Sequence, residues 1–252
     1  MKQSKTANKF SLIFVIMAII LIVGAFSVLF IPKDNNDSNN NNNSGAVEFS
    51  QVNYVAFGDS ITYGFDGQTT LRMDNPYPNL VADELGFANV YNHAISGSTI
   101  SYVSGLTNVN SQLANATSKA HIVSVMIGVN DFSQSCELGT IDDKGLTTIY
   151  GGLNTLVKGL QNKYEDAYIF FMTPFQQWRF EDPNSVGVKL VDVVNAIKQV
   201  CENNNIPVLD LYNLCNFNET TDPYCDGLHP TQQFMTNYVA PMVSQFIREN
   251  YK

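Results

Sequence analysis

The sequence has little positive charge, and this deficit excludes one class of partner. Only 14 Lys and Arg residues stand against 23 Asp and Glu residues, for a net charge of −9. The first 45 residues carry four of the lysines and two aspartates, so the remaining residues have a net charge of −11 and no Lys/Arg cluster. A domain this acidic is not expected to bind nucleic acid or anionic lipid headgroups as its main partner.

Histidine and cysteine are also scarce. The three histidines are scattered and lack His-x-x-His spacing, which disfavours a metal-dependent hydrolase. The four cysteines allow three full pairings, and Cys215 and Cys225 are the favoured pair because they are close in sequence and flank a turn-rich stretch. Free buried thiols are the alternative for all four residues: Cys136, Cys201, Cys215 and Cys225.

Apolar residues are concentrated in one long run near the N-terminus. Phe10–Ile31 contains 22 residues without a charge, which as a helix would span roughly 33 Å, enough to cross a membrane. Lysines in residues 1–9 predict a cytoplasmic N-terminus with the rest of the chain outside. We therefore expect a single-pass anchor in the cell membrane. The alternative is a cleaved signal peptide and a secreted protein, although Ala25-Phe26-Ser27 matches a cleavage site poorly.

A short polar segment comes after the apolar run. Within residues 32–50, the stretch Asp34–Ser44 has seven asparagines in eleven positions. Such a segment has no apolar surface to bury, so we expect a flexible linker. Residues 51–252 then form one domain of ordinary size.

Short apolar runs alternate with helical patterns along this domain. The predicted strands are Asn53–Phe57, Asn89–Tyr91, Ile122–Ile127, Tyr168–Met172 and Ile206–Leu209. The predicted helices are Asn79–Leu85, Val109–Lys119, Leu146–Tyr164, Val186–Asn203 and a final helix from the N-cap Thr231 toward Asn250. This alternation predicts an α/β fold with a mostly parallel sheet covered by helices on both faces. Sites in such sheets lie beyond the carboxyl ends of the strands.

Two small motifs come after the first two predicted strands. Gly58-Asp59-Ser60 places a serine hydroxyl at a strand-to-helix turn, and the loop after the second strand contains Gly97. A glycine lets a backbone N–H approach a ligand closely. Taken singly, the first motif is better explained as a helix N-cap and the second as a plain turn.

Two further motifs come after later strands. Gly128-Val129-Asn130-Asp131 supplies a neutral amide donor after the third strand, although Asp131 could instead cap the next segment of the chain. Near the C-terminus, Asp226 precedes His229 by three residues, so its carboxylate can accept the Nδ1 proton and leave Nε2 free to act as a base. The ordered set of a serine, a backbone donor, an amide donor and an Asp–His pair is what acyl transfer requires.

Over residues 51–250 the chain resembles the SGNH hydrolases, also called GDSL esterases and lipases. All four signature blocks are present, and the one departure is Ile61 where the family name has Leu. The resemblance implies a flavodoxin-like three-layer α/β/α sandwich with a five-stranded parallel sheet, and no cofactor. It implies the nucleophile Ser60, the base His229 and its partner Asp226. The implied oxyanion hole consists of the Ser60 N–H, the Gly97 N–H and the Asn130 amide.

The substrate is the least determined part of this interpretation. The loop after the fourth strand contains the only tryptophan, Trp178, which suits either sugar stacking or anchoring of the loop. We expect Trp178, Asp59 and Asp131 to contact the substrate. An outer-surface location favours an O-acylated glycan, and a lysophospholipid is the alternative. Acyl transfer to a glycan, or a binding module without turnover, would use the same fold.

Overall fold

A sheet of five parallel strands forms the centre of the described chain. The computed structural model describes residues 48–116, 119–176, 181–215 and 226–252. Its strands lie in the order β2-β1-β3-β4-β5, the flavodoxin-like order. This confirms the predicted sheet. The strands are β1 Asn53–Gly58, β2 Asn89–Asn92, β3 Ile122–Met126, β4 Tyr168–Met172 and β5 Val208–Leu209.

The predicted membrane anchor, residues 10–31, and residues 32–47 of the predicted linker lie outside the described residues. The end of that linker was predicted wrongly, because Phe49–Gln51 forms a short 3-10 helix and Phe49 packs against Phe87 and Tyr251. Among the helices that the structure does describe, none is both long and apolar enough to cross a membrane.

Helices cover both faces of the sheet. They are α1 Ser60–Tyr63, α2 Tyr77–Leu85, α3 Val109–Asn115, α4 Val129–Ser133, α5 Ile149–Lys163, α6 Leu190–Asn203, α7 Leu211–Leu214, α8 Gln232–Phe234 and α9 Ala240–Asn250. Side chains of β3 alternate between two hydrophobic cores. Val123 and Val125 pack with α3, α5 and α6, whereas Ile122 and Met126 pack with α2 and α9. The result is the predicted three-layer α/β/α sandwich.

Several helices begin later or end earlier than the apolar pattern predicts, and capping hydrogen bonds account for the later starts. The helix predicted from Leu146 begins at Ile149, where the Thr148 side chain accepts a hydrogen bond from the Gly151 N–H. The helix predicted from Val186 begins at Leu190. The helix predicted to reach Lys119 ends at Asn115.

The last predicted helix is interrupted. Thr231 is the N-cap, as expected, and accepts from the Phe234 N–H. A π-helical turn, Met235–Val239, then separates α8 from α9. Pro241, in the first turn of α9, has no N–H for the carbonyl four residues back, so the chain widens there instead of continuing as a regular helix.

The cysteines do not support the favoured disulfide. Cys136, Cys201 and Cys215 are buried free thiols, and Cys225 lies outside the described residues. The pairing of Cys215 with Cys225 is therefore wrong in this structure, and the alternative of free buried thiols holds for the three described cysteines. Burial raises the pKa of all three thiols to about 12.

Candidate active site

Ser60 lies at the carboxyl end of β1, at the start of the short helix α1. The strand ends at Gly58, and Asp59 is the helix N-cap, whose side chain accepts a hydrogen bond from the Ile61 N–H at 3.0 Å. Ser60 is therefore the first residue of the helix, where a backbone N–H has no partner within the helix. The cap and the strand together fix the direction of the serine side chain.

The serine hydroxyl contacts the predicted base. Ser60 Oγ lies 3.0 Å from His229 Nε2, and His229 Nδ1 lies 3.1 Å from Asp226 Oδ2. Residues 169 positions apart in sequence thus form a continuous Ser–His–Asp chain of hydrogen bonds. The histidine bridges hydroxyl and carboxylate with its two different ring nitrogens, the arrangement that lets a neutral imidazole accept the serine proton.

Asp226 is held as a carboxylate. Its Oδ1 accepts hydrogen bonds from the backbone N–H groups of Leu228 and His229, at 2.9 and 2.6 Å. Burial by itself would raise the pKa of Asp226, but these amides and the His229 ring outweigh it and hold the pKa below its ordinary value. An ionised Asp226 stabilises the imidazolium that forms when His229 takes a proton.

The two other predicted donors lie on the loop after β2 and in the short helix α4 after β3. Gly97 adopts a left-handed conformation with φ of 78°, which glycine accepts without strain, and a Cβ there would meet nothing within 4 Å. Asn130 Nδ2 donates a hydrogen bond to the Ser98 carbonyl at 2.9 Å. The amide of Asn130 is thereby tied to the residue directly after Gly97. Among the residues that the structure describes it donates no second hydrogen bond, so its other hydrogen can serve a ligand.

The side chains of Asp131 and Asp59 stabilise backbone segments next to the site. Asp131 is fully buried, and its two carboxylate oxygens accept from the N–H groups of Ile100 and Ser101 at 2.7 and 2.8 Å. Burial raises the pKa of Asp131 to about 6 and that of Asp59 to about 7. Asp59 is only 1% exposed and Asp131 is fully buried, so neither carboxylate fits the substrate contact predicted from sequence. Both accept hydrogen bonds from backbone N–H groups instead. Trp178, the third predicted contact, lies outside the described residues.

A loop that the sequence did not connect with the site holds His229 in place. The Gly67 N–H donates to the Pro230 carbonyl at 3.2 Å, and the Phe65 ring lies 4.5 Å from the His229 ring. Asp66 accepts from the N–H groups of Gln68, Thr69 and Gln232. The Asp-Gly pair at 66–67 signals a turn in sequence, but nothing in it indicates that the turn packs on the histidine.

A buried amide was also missed. Gln112 on α3 is hydrogen-bonded to both the N–H and the carbonyl of Gly58, and to the Ser98 hydroxyl. It lies within a helix whose pattern predicts only packing, so no sequence signal distinguished it.

The sheet order and the Ser–His–Asp geometry define a flavodoxin-like α/β/α protein with the constellation of an acyl hydrolase. A family model, the GDSL-like lipase/acylhydrolase family, matches residues 56–235. The chain belongs to this family, which is that of the SGNH hydrolases.

Solved structures agree on the fold. A protein from Lactobacillus plantarum is 25% identical with a TM-score of 0.70, and the match covers 80% of this chain and 99% of that one. A carbohydrate acetylesterase family member from Sinorhizobium meliloti is 17% identical with a TM-score of 0.58, over 79% and 98% of the two chains. An inhibitor-bound aryl esterase from M. smegmatis is 17% identical with a TM-score of 0.59, over 79% and 99%. No curated protein matches the sequence.

Proposed function

We propose that this protein is a serine esterase that cleaves carboxylic esters through an acyl-enzyme. The observation that carries the proposal is the hydrogen-bonded chain from Ser60 Oγ through the His229 ring to Asp226. Membership of a family of esterases and lipases supports the same reaction class.

The mechanism can be derived from the positions of these groups. His229 Nε2 takes the Ser60 proton while Ser60 Oγ attacks the ester carbonyl, and Asp226 stabilises the resulting imidazolium. The N–H groups of Ser60 and Gly97 and the amide of Asn130 stabilise the oxyanion, and removing one such donor costs about 3 kcal/mol of barrier. The imidazolium then protonates the leaving alcohol, and a water molecule activated by His229 releases the acid and restores Ser60.

The test of the reaction class compares the full-length chain with Ser60→Ala. We expect the wild type to release p-nitrophenol from p-nitrophenyl acetate and Ser60→Ala to fall to background. Ser50→Ala is a matched control, because Ser50 is exposed and its hydroxyl contacts only Glu48 among the described residues. Full activity in clean Ser60→Ala protein would refute the assignment.

For the substrate, we propose a short-chain ester, such as an O-acetyl group, on a surface or extracellular glycan. The acidic domain, with its net charge of −11 beyond the first 45 residues, disfavours close docking on anionic membranes. One of the similar folds is described as a member of a carbohydrate acetylesterase family. No nucleic acid partner is proposed.

A lysophospholipid is the second candidate, and a specific observation favours it. Three apolar side chains are exposed on loops that come after β1 and β2: Leu71 at 69%, Ile95 at 44% and Tyr102 at 67%. Exposed apolar side chains on loops at the catalytic edge of the sheet would suit an acyl chain.

Product analysis separates these candidates. The glycan proposal predicts Ser60-dependent acetate release from acetylated xylan or peptidoglycan and a rate that falls with p-nitrophenyl ester chain length. A preference for long acyl chains would reverse this ranking. Transfer of the acyl group to an added sugar would identify an acyltransferase, and binding without any Ser60-dependent release would identify a binding module.

We also propose that the catalytic domain is held outside the cell by a single N-terminal span. The apolar run Phe10–Ile31 and the lysines before it support this location. Protease added to intact cells should then remove the domain from the membrane fraction while a cytoplasmic marker stays intact. Recovery of the shortened chain from the medium would indicate signal cleavage and secretion instead.

A further inference from the structure

Gln112 connects two loops of the candidate active site. Its side chain is buried, and its Oε1 accepts a hydrogen bond from the Gly58 N–H at 3.3 Å. Its Nε2 donates to the Gly58 carbonyl at 2.7 Å and to the Ser98 hydroxyl at 2.8 Å. The amide group therefore spans from the end of β1 to the loop after β2, which are 40 residues apart in sequence.

Each of these bonds ends next to a proposed oxyanion donor. Gly58 lies two residues before Ser60, whose N–H is one donor. Ser98 comes directly after Gly97, the second donor, and the Ser98 carbonyl accepts from the Asn130 amide, the third donor. A single planar amide thus fixes the Ser60 segment relative to the segment that carries Gly97 and orients Asn130.

We propose that Gln112 is a positioning residue that sets the spacing of the oxyanion donors. The proposal rests on the proposed esterase function, since it assigns Gln112 a role in that same site. Oxyanion donors are effective only when they are held in place before the reaction. Gln112 uses both amide hydrogens and its oxygen for this purpose, so its side chain has no rotational freedom left. It acts on the transition state through these donors and does not touch the substrate.

A different result is expected if Gln112 serves only as a hydrogen-bond partner for the N–H and the carbonyl of Gly58. In that case the loss of Gln112 would lower stability, and any effect on turnover would be independent of Asn130. Positioning requires instead that the effect on turnover passes through the donors, so that it becomes smaller when one of the three donors is already absent.

The experiment is a double-mutant cycle on kcat with p-nitrophenyl acetate, using the full-length chain. Gln112→Met keeps the length of the side chain and removes its hydrogen bonds, and Asn130→Ala removes a donor. We expect Gln112→Met to lower kcat about tenfold or more with little change in KM, and Asn130→Ala to lower it roughly 10² to 10³-fold. Gln112→Met should lower kcat by a clearly smaller factor in the Asn130→Ala background than in the wild type, because only its effect on the Ser60 and Gly97 donors remains.

A second variant that removes fewer hydrogen bonds is used in case Gln112→Met folds poorly. A surface variant and a count of active sites serve as controls. Ser98→Ala removes only the bond from Gln112 to the Gly97 loop, and it should show the same non-additivity with Asn130→Ala at smaller amplitude. Gln161→Met, at an exposed position on α5, should leave kcat unchanged. Counting Ser60 sites with a fluorophosphonate probe makes each kcat refer to folded enzyme.

The outcomes separate this proposal from the one on which it rests. Multiplicative losses in kcat for both pairs, in an enzyme whose turnover depends on Ser60, would refute the role of Gln112 alone. Absence of Ser60-dependent turnover in the wild type would refute the esterase function and this role with it.

Discussion

Replacing Gly67 by alanine tests whether the loop that contains Gly67 fixes the position of His229, the proposed catalytic base. Gly67 does not adopt a left-handed conformation, so the substitution adds volume without forcing a disfavoured φ. The new Cβ would lie 2.0 Å from the His229 carbonyl oxygen and 3.0 Å from the Asp226 backbone nitrogen. Both contacts are with backbone, so they cannot be relieved by rotating a side chain.

The size of the effect can be worked out from the first distance. Nonbonded carbon and oxygen atoms rest more than about 3 Å apart, so the Gly67 loop and the His229 segment must separate by about 1 Å or more. A displacement of this size at catalytic groups costs on the order of 10²-fold in rate. The extra methyl group should also lower the free energy of unfolding by about 1–3 kcal/mol.

The assay compares kcat/KM of Gly67→Ala and wild type on p-nitrophenyl acetate, together with urea unfolding. Gly145→Ala is the control, because Gly145 has φ of 82° and open space around its Cβ position. It should lose about 1–2 kcal/mol of stability through its left-handed backbone and no activity. Wild-type kcat/KM in folded Gly67→Ala, or an equal loss of kcat/KM in Gly145→Ala, would show that this loop does not position His229.

Three further predictions concern charge and thiols. Burial raises the folded-state pKa of Asp59 from 3.8 to about 7, so the folded protein favours the neutral form of this side chain. The free energy of unfolding should therefore fall as pH rises from about 4 to 7, by up to roughly 4 kcal/mol. Asp59→Asn keeps the cap without the charge, so its stability relative to wild type in urea should rise between pH 4 and pH 8; a parallel pH dependence would contradict this. Asp226→Asn should keep the fold, by circular dichroism, but lower kcat on the order of 10⁴-fold, and a loss below tenfold would exclude its role as partner of His229. A thiol reagent should modify Cys136, Cys201 and Cys215 only after denaturation, because all three are buried. Modification of any of these three in the native protein, located by peptide mass spectrometry, would contradict their burial.

The central strands could be predicted from sequence because they are buried on both faces. Apart from Asn53 and the buried Ser124, strands β1, β3 and β4 consist of apolar residues and glycine, and their predicted bounds agree with the structure to within one residue. The last strand is shorter than predicted, starting at Val208, because Pro207 has no N–H to donate to a neighbouring strand.

The parts of the site that depend on residues close together in sequence could be predicted. Asp226 and His229 are three residues apart, so their contact arises from a single turn. Gln112 is hydrogen-bonded to Gly58, 54 positions away, and Gly67 to Pro230, 163 positions away. No local pattern encodes such contacts, because they depend on how whole loops pack once the sheet has formed.

The distance along the chain between the nucleophile and the base has a consequence for biosynthesis. Ser60 directly follows β1, whereas Asp226 and His229 come after all five strands, and the loop around Gly67 contacts the His229 segment through the Pro230 carbonyl. The final helix, α9, docks on α2 through Ser244 and Arg248, which both contact Glu84. A nascent or truncated chain therefore contains a serine without its base. A chain that ends before residue 226 can contain all five strands and the serine of the Ser–His–Asp arrangement, but it contains neither the histidine nor the aspartate.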